Sequence, residues 1–478
     1  MTSKDFFRFL LMSLIVIGQI ECTECKSHPN TEKVIKDELP FDFSDLDPKK
    51  AKTKKLANGI EVLVFENHFA PMVYFSVCVM SGGMDDPAGK SGLAHYLEHL
   101  MFKGTDKYPK EKLLRTLLEN SAVINAYTAP DRTVFWEYGP KEHLELFADI
   151  ESNRFKESAV PSEEARNERK VVTEEARICE RQAQNVLSCY LSNALYLGAP
   201  FQHPLVGWLP EVTRLTLDDA MLFKSRHYCT QNTKIIVIGD VKFEQVVNVV
   251  EKYFGGIPES AAPSKTYDES NAQYYSSKTF LRVEKYSNQF GTPAISLVWR
   301  PDICYRKNLR KAIALELFLN ALAGDDISHL YQELVERRKI AVDIGASVEM
   351  DMRHPYMVEI RASPTANTKI AFLEKQSLEA IRKKCRDGLT AEEFSLARNR
   401  IIISIMYAMQ SYMSAGQYFE AMAENNSYSK VTEVVKSLSR EFVNQVAKEY
   451  LLYPPVAVVV TWPDSQFSSI CSGKGARK

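Results

Sequence analysis

No stretch of this chain reaches the ~20 consecutive apolar residues that a membrane-spanning helix needs. The longest run, from Phe9 to Gly18, has ten. Cysteine is scarce, with nine in 478 residues, which excludes a small disulfide scaffold. Charge of one sign is lacking too. Sixty basic side chains meet 61 acidic ones, for a net charge of −1, so no broad field recruits nucleic acid or an anionic membrane. The densest basic run, Lys49-Lys50-Ala51-Lys52-Thr53-Lys54-Lys55, reads as a solvated approach to the first strand. What is present is ordinary globular usage, 45% hydrophobic and 25% charged residues, enough for two or three domains.

The ten-residue run follows Lys4 and Arg8 and fits the apolar segment of an export signal. Residues 1–24 are therefore expected to be a signal peptide and the protein to be exported, to a periplasm. An uncleaved anchor in a membrane is the alternative. Loss of the signal leaves Cys78, Cys179, Cys189, Cys229, Cys304, Cys385 and Cys471, an odd and widely spaced set that argues against full pairing.

Strand and helix patterns alternate along the chain. Apolar strand runs start at Ile60, Val73, Val123, Thr133 and Lys234. Helical patterns run through Leu93–Phe102, near 141–155, through 161–185, before Tyr228 and up to Phe254. The order then recurs. Pro161-Ser162-Glu163-Glu164 and Thr390-Ala391-Glu392-Glu393 both open helices, and Tyr228 and Tyr450 both precede a closing Val/Ile-rich strand. The expected organisation is a first domain at 50–256, a linker at 257–277, a similar second domain at 278–465 and a tail at 466–478. Short, partly alternating strands predict an α+β fold, two repeats of about 200 residues with mixed or antiparallel sheets flanked by helices.

The repeat supplies an internal control. Where the first copy holds His95, Glu98 and His99, the second holds Leu315, Phe318 and Leu319. A helix at that position can be built from hydrophobes, so the polar trio calls for chemistry. His95 and His99, four residues apart, project from one helix face and can share an ion. His-x-x-Glu-His is the inverted zincin pattern, with the Glu as general base. Two helical histidines also meet by chance, and the pentapeptide alone leaves both readings open.

Leu56-Ala57-Asn58-Gly59-Ile60, Gly82-Gly83-Met84-Asp85-Asp86-Pro87 and the run from Gly92 through His95-Tyr96-Leu97-Glu98-His99 to Phe102-Lys103-Gly104-Thr105 closely resemble the pitrilysin-like zinc peptidases. The resemblance runs from about Lys52 to Pro463. It implies one zinc ion per chain and peptide-bond hydrolysis without a covalent intermediate. It also implies a third ligand in a Glu-rich run on a later helix, with a supporting Glu seven residues before it, which picks Glu175 as ligand and Glu168 as its support. Glu174 then points about 100° away. Asn125-Ala126-Tyr127-Thr128 resembles the family's substrate-binding edge strand, with Asn125 and Ala126 as contacts to an extended peptide. Ser121-Ala122 stands where the family usually has Gly-Gly.

One further departure concerns the second copy, which in this family contributes an Arg and, seven residues later, a Tyr. Here those positions hold Val335 and Val342, which donate nothing from their side chains. The expectation is a metal-bearing subunit of a heterodimer whose sister chain carries the Arg and Tyr, with a homodimer as alternative. The competing reading is a non-catalytic assembly or binding subunit on the same fold.

Overall fold

A computed structural model describes residues 44–157, 160–196, 199, 202–263, 280–349, 357–423 and 427–464. The apolar amino-terminal run, Cys22, Cys25, Cys471 and most of the expected linker lie outside the described residues.

The first sheet contains β1 (Lys52–Lys55), β2 (Glu61–Glu66), β3 (Met72–Val79), β4 (Val123–Thr128), β5 (Thr133–Pro140) and β6 (Thr233–Gly239) in the order β1-β2-β6-β3-β5-β4. The second contains β7 (Leu281–Tyr286), β8 (Ala294–Trp299), β9 (Ala341–Glu349), β10 (Met357–Pro364) and β11 (Ala457–Trp462) in the order β7-β11-β8-β10-β9. Apart from β1 the two orders are the same. Each sheet has one parallel pair, β2 with β6 and β7 with β11, and its other pairs are antiparallel. The chain is thus a mixed α+β fold written twice.

The helices of the first half are α1 (Leu93–Leu100), α2 (Lys110–Glu119), α3 (Leu144–Lys156), α4 (Ser162–Arg181), α5 (Ala183–Leu195), α6 (Leu209–Val212), α7 (Leu217–His227) and α8 (Phe243–Phe254). Those of the second are α9 (Tyr305–Ala323), α10 (Ile370–Asp387), α11 (Ala391–Gln410), α12 (Tyr412–Ala421), α13 (Tyr428–Ser437) and α14 (Arg440–Leu451). The expected single helix over 161–185 is two. Gln182 has extended backbone between α4 and α5. The Gln289 side chain, from the second half, clamps the corner: its Nε2 donates to Arg181 O and its Oε1 accepts from Ala183 N, each at 2.7 Å.

That corner sends α5 across the molecule. Leu187, Leu191 and Leu195, four residues apart, pack on Val298, Ala457 and Val459 of the second sheet. In return α12 crosses to β3 and β6 of the first sheet. Both faces of the central strands are therefore covered, which is why they read as unbroken apolar runs. In β2, Val62 and Val64 face the helices of the first half, and Leu63 and Phe65 join the core shared with the second.

Candidate metal centre

Helix α1 is placed by its entry. Gly92, at φ +82°, precedes it, and the Asp86 carboxylate accepts Gly92 N at 2.6 Å and Ala94 N at 2.8 Å. A carboxylate on these free N–H groups favours the helix N-terminus. Leu93, Ala94, Tyr96, Leu97 and Leu100 are buried, which turns His95 and His99 to the other face. The Tyr96 hydroxyl donates to Ala165 O at 2.7 Å and ties α1 to α4.

On α4, Glu168 and Glu175 lie almost two turns apart and face α1. His95 Nε2 and His99 Nε2 each stand 3.5 Å from Glu175 Oε2. The two rings are 4.7 Å apart at 75°, and the donor atoms of His95, His99 and Glu175 all fall within 4.8 Å of one another. Two imidazoles and one carboxylate at such spacing fit a tetrahedral zinc, whose ligands at ~2.0–2.2 Å from the ion stand about 3.3–3.6 Å apart. Three protein donors leave a fourth position for water or substrate. The expected trio is brought together.

Glu168 does not join the cluster. It accepts from His99 Nδ1 at 2.9 Å and from Lys103, holding that ring with Nε2 toward Glu175. His95 has no such support, since its Nδ1 is buried without a hydrogen-bond partner. Glu98 also stands outside the set. Its buried carboxylate accepts from Thr128 Oγ1 at 2.5 Å. Cys179, four residues after Glu175, forms no disulfide among the described residues and is not one of the cluster.

The electrostatics suit a cation. Burial, with the neighbouring His99, lowers His95 to about 4, so its ring is neutral at pH 7. Burial also pulls His99 down, but its hydrogen bonds to Glu168 and Glu175 outweigh that and raise it to about 9. A proton thus sits on His99 between two carboxylates, both below the usual range. A metal ion binding there must displace it. Burial raises Glu98 above an ordinary glutamate, against the Thr128 hydrogen bond.

Strand β4 forms the outer edge of the first sheet, beside α1, and among the described residues pairs with β5 alone. Asn125 is exposed and Ala126 half-buried, Asn125 opposite Trp136 and Ala126 opposite Phe135. In the second half, Leu315, Phe318 and Leu319 are buried in α9, as the control anticipates. Val335 packs on the core from a single π-helical stretch, Tyr331–Arg337, and Val342 is exposed. Arg337 and Arg338 are both held by Glu333.

Two contributors escaped the sequence reading: Lys103 and Thr128. The available signal for Thr128 was strand parity, which puts it on the same face of β4 as Ala126. Lys103 lies just past α1, where helical spacing no longer places side chains.

Two family models match the chain. Residues 61–207 match the model described as Insulinase (Peptidase family M16), and residues 214–401 the Peptidase M16 inactive domain. An uncharacterized zinc protease of Rickettsia bellii is 22% identical over 420 residues, covering 85% of this chain and 96% of its own length. A probable mitochondrial-processing peptidase subunit beta of Schizosaccharomyces pombe is 30% identical over 217 residues, 44% of this chain and 46% of that one. Among solved structures, a protease from Helicobacter pylori superposes with a TM-score of 0.77 at 20% identity, covering 87% of this chain and all of that one. The periplasmic protease PqqL from Escherichia coli gives 0.73 at 17% identity, over 90% of this chain and 49% of that one. Two halves with one strand order, a histidine–glutamate cluster in the first and hydrophobes in its place in the second, agree with both matches, and the chain belongs to the M16 (insulinase/pitrilysin-like) peptidase family.

Proposed function

We propose that this chain is a zinc-dependent endopeptidase acting on peptides or unfolded segments laid along β4. The convergence of His95, His99 and Glu175 within 4.8 Å carries this reading. Those three would hold the ion through His95 Nε2, His99 Nε2 and a Glu175 carboxylate oxygen. Bound zinc supplies Lewis acidity, lowering the pKa of water and polarising a carbonyl. The protein's own groups do the rest. Glu98 takes the water proton on its carboxylate and returns it to the departing amine. Burial, by raising Glu98, moves it toward the operating pH that suits a base. Thr128 orients that carboxylate, and Glu168 fixes the His99 ring. The free edge of β4 receives an extended peptide through backbone groups, so binding is largely sequence-tolerant, with Asn125 and Ala126 at the contact.

Val335 and Val342 leave the two positions that hold the family's Arg and Tyr without side-chain donors, which favours a heterodimer whose sister chain brings an Arg and a Tyr over replacement by the neighbouring Arg338. Export rests on the amino-terminal run alone. No described helix is long and apolar enough to cross a membrane.

The test is chelation and reconstitution. Metal-free protein should not cleave a quenched peptide, and one equivalent of zinc should restore cleavage. Co-expression with a paralogue bearing the Arg and Tyr should raise the rate by about 10²-fold or more at equal zinc. Zinc binding that restores no hydrolysis, with or without the paralogue, would favour the binding-subunit reading. Full activity of a pure homodimer would remove the heterodimer.

A further inference from the structure

Glu420 is wholly buried, yet it belongs to the half that holds no metal ligand. Helix α12 carries it to the first sheet, and the approach is close. Gly416 lies against the Tyr74 ring, where a Cβ would stand 2.2 Å from Cε1. Tyr74 is buried and stacked on Trp136, so only glycine lets α12 settle there. One turn later, Glu420 Oε1 accepts the Tyr74 hydroxyl at 2.7 Å and Oε2 accepts the Tyr127 hydroxyl at 2.8 Å. The Arg132 guanidinium lies 5.9 Å from the centre of the Tyr127 ring and pairs with Asp131 at 2.8 Å.

Tyr127 is what makes this carboxylate more than a packing detail. On β4, Ile124 and Ala126 pack toward the helices of the first half, and Thr128 turns the same way to hold Glu98. Tyr127, with opposite parity, packs into the core shared with the second half. An edge strand is held by one neighbour only and twists or slips more readily than a central one. Tyr127 gives β4 a second anchor, at the residue between a substrate contact and the threonine that orients Glu98. An apolar residue would fill position 420 without the cost of burying a carboxylate.

We propose that Glu420 is a positioning residue for peptide binding: through Tyr127 it fixes, from the second half, the strand on which the peptide is laid. The proposal rests on the endopeptidase reading, and its test is independent of turnover. In the zinc-loaded full chain carrying Glu98→Gln, the affinity for a fluorescein-labelled unstructured peptide and the amide exchange of residues 123–128 are measured with Tyr127→Phe, Glu420→Gln and Tyr74→Phe added singly. Tyr127→Phe removes one hydroxyl and leaves Tyr74 on the carboxylate, so folding is preserved. Tyr127→Phe should weaken peptide binding about three- to tenfold, the worth of one hydrogen bond, and speed exchange along β4 at unchanged zinc content. Glu420→Gln, whose amide accepts from one hydroxyl and can donate to the other, should act in the same direction with a smaller effect. Tyr74→Phe, on the same carboxylate but on β3, should do neither. Unchanged affinity and exchange in Tyr127→Phe, or an equal effect of Tyr74→Phe, would overturn the proposal. Failure of the wild type to hydrolyse peptide, both alone and with the Arg- and Tyr-bearing paralogue, would strike the endopeptidase reading instead.

Discussion

Glu174 and Glu175 are adjacent and have opposite surroundings. Glu175 turns to His95 and His99, while Glu174 is exposed and paired with Arg177 on the same helix. An exposed pair of that kind is worth about 0–1 kcal/mol, so Glu174→Gln should leave zinc affinity and melting temperature nearly unchanged. Glu175→Gln removes one of three anionic or imidazole donors and should weaken zinc binding by far more, read by competition with a chromophoric chelator. Greater damage from the Glu174 substitution would mean that the face assignment on α4 is wrong. The site was legible at this scale for two reasons. The second copy shows what the position holds without chemistry, which singles out His95, Glu98 and His99, and the family resemblance supplies Glu168 and Glu175. Glu420 was not legible, because its partners Tyr74 and Tyr127 lie 346 and 293 residues away and no local pattern links them.

At the scale of elements, the entry to α1 decides where the two histidines stand. Gly92 has φ +82°, and Gly207, at φ +81°, meets it back to back. A Cβ on Gly92 would lie 2.6 Å from Val206 O, and one on Gly207 2.3 Å from Ser91 O. Gly92→Ala should therefore cost roughly 1–3 kcal/mol of strain or more and shift α1 against α4. A lower melting temperature together with weaker zinc binding is expected, and an alanine variant as stable as the wild type would contradict the tight approach. Most elements were legible from apolar periodicity, but the break at Gln182 was not. Residues 178–186 contain neither Gly nor Pro, and the corner is made by the distant Gln289. Helix α1 also ends at Leu100, two residues short of the expected Phe102.

At the scale of the molecule, the two halves are alike in strand order and joined by exchange: α5 covers part of the second sheet and α12 part of the first. The repeat could be read from motif order, whereas the exchange could not. The apolar stripe on α5 says that the helix is buried without saying on which sheet. Either half made alone would expose the apolar face its partner's helix covers. Residues 50–256 and 278–465 should each be insoluble or unfolded when expressed singly, and should recover folded, zinc-binding material when co-expressed. A stable, monomeric first half with full zinc affinity would contradict the exchange as a condition of stability.

In the proposed reaction Glu98 is a base and not a ligand. The most direct measurement compares zinc content and quenched-peptide hydrolysis in the wild type and Glu98→Gln, in whichever assembly is active. Both should carry one zinc per chain, and turnover should be lower by about 10²-fold or more in the variant, the usual worth of a general base. Loss of zinc from Glu98→Gln, or undiminished hydrolysis with zinc in place, would contradict that role.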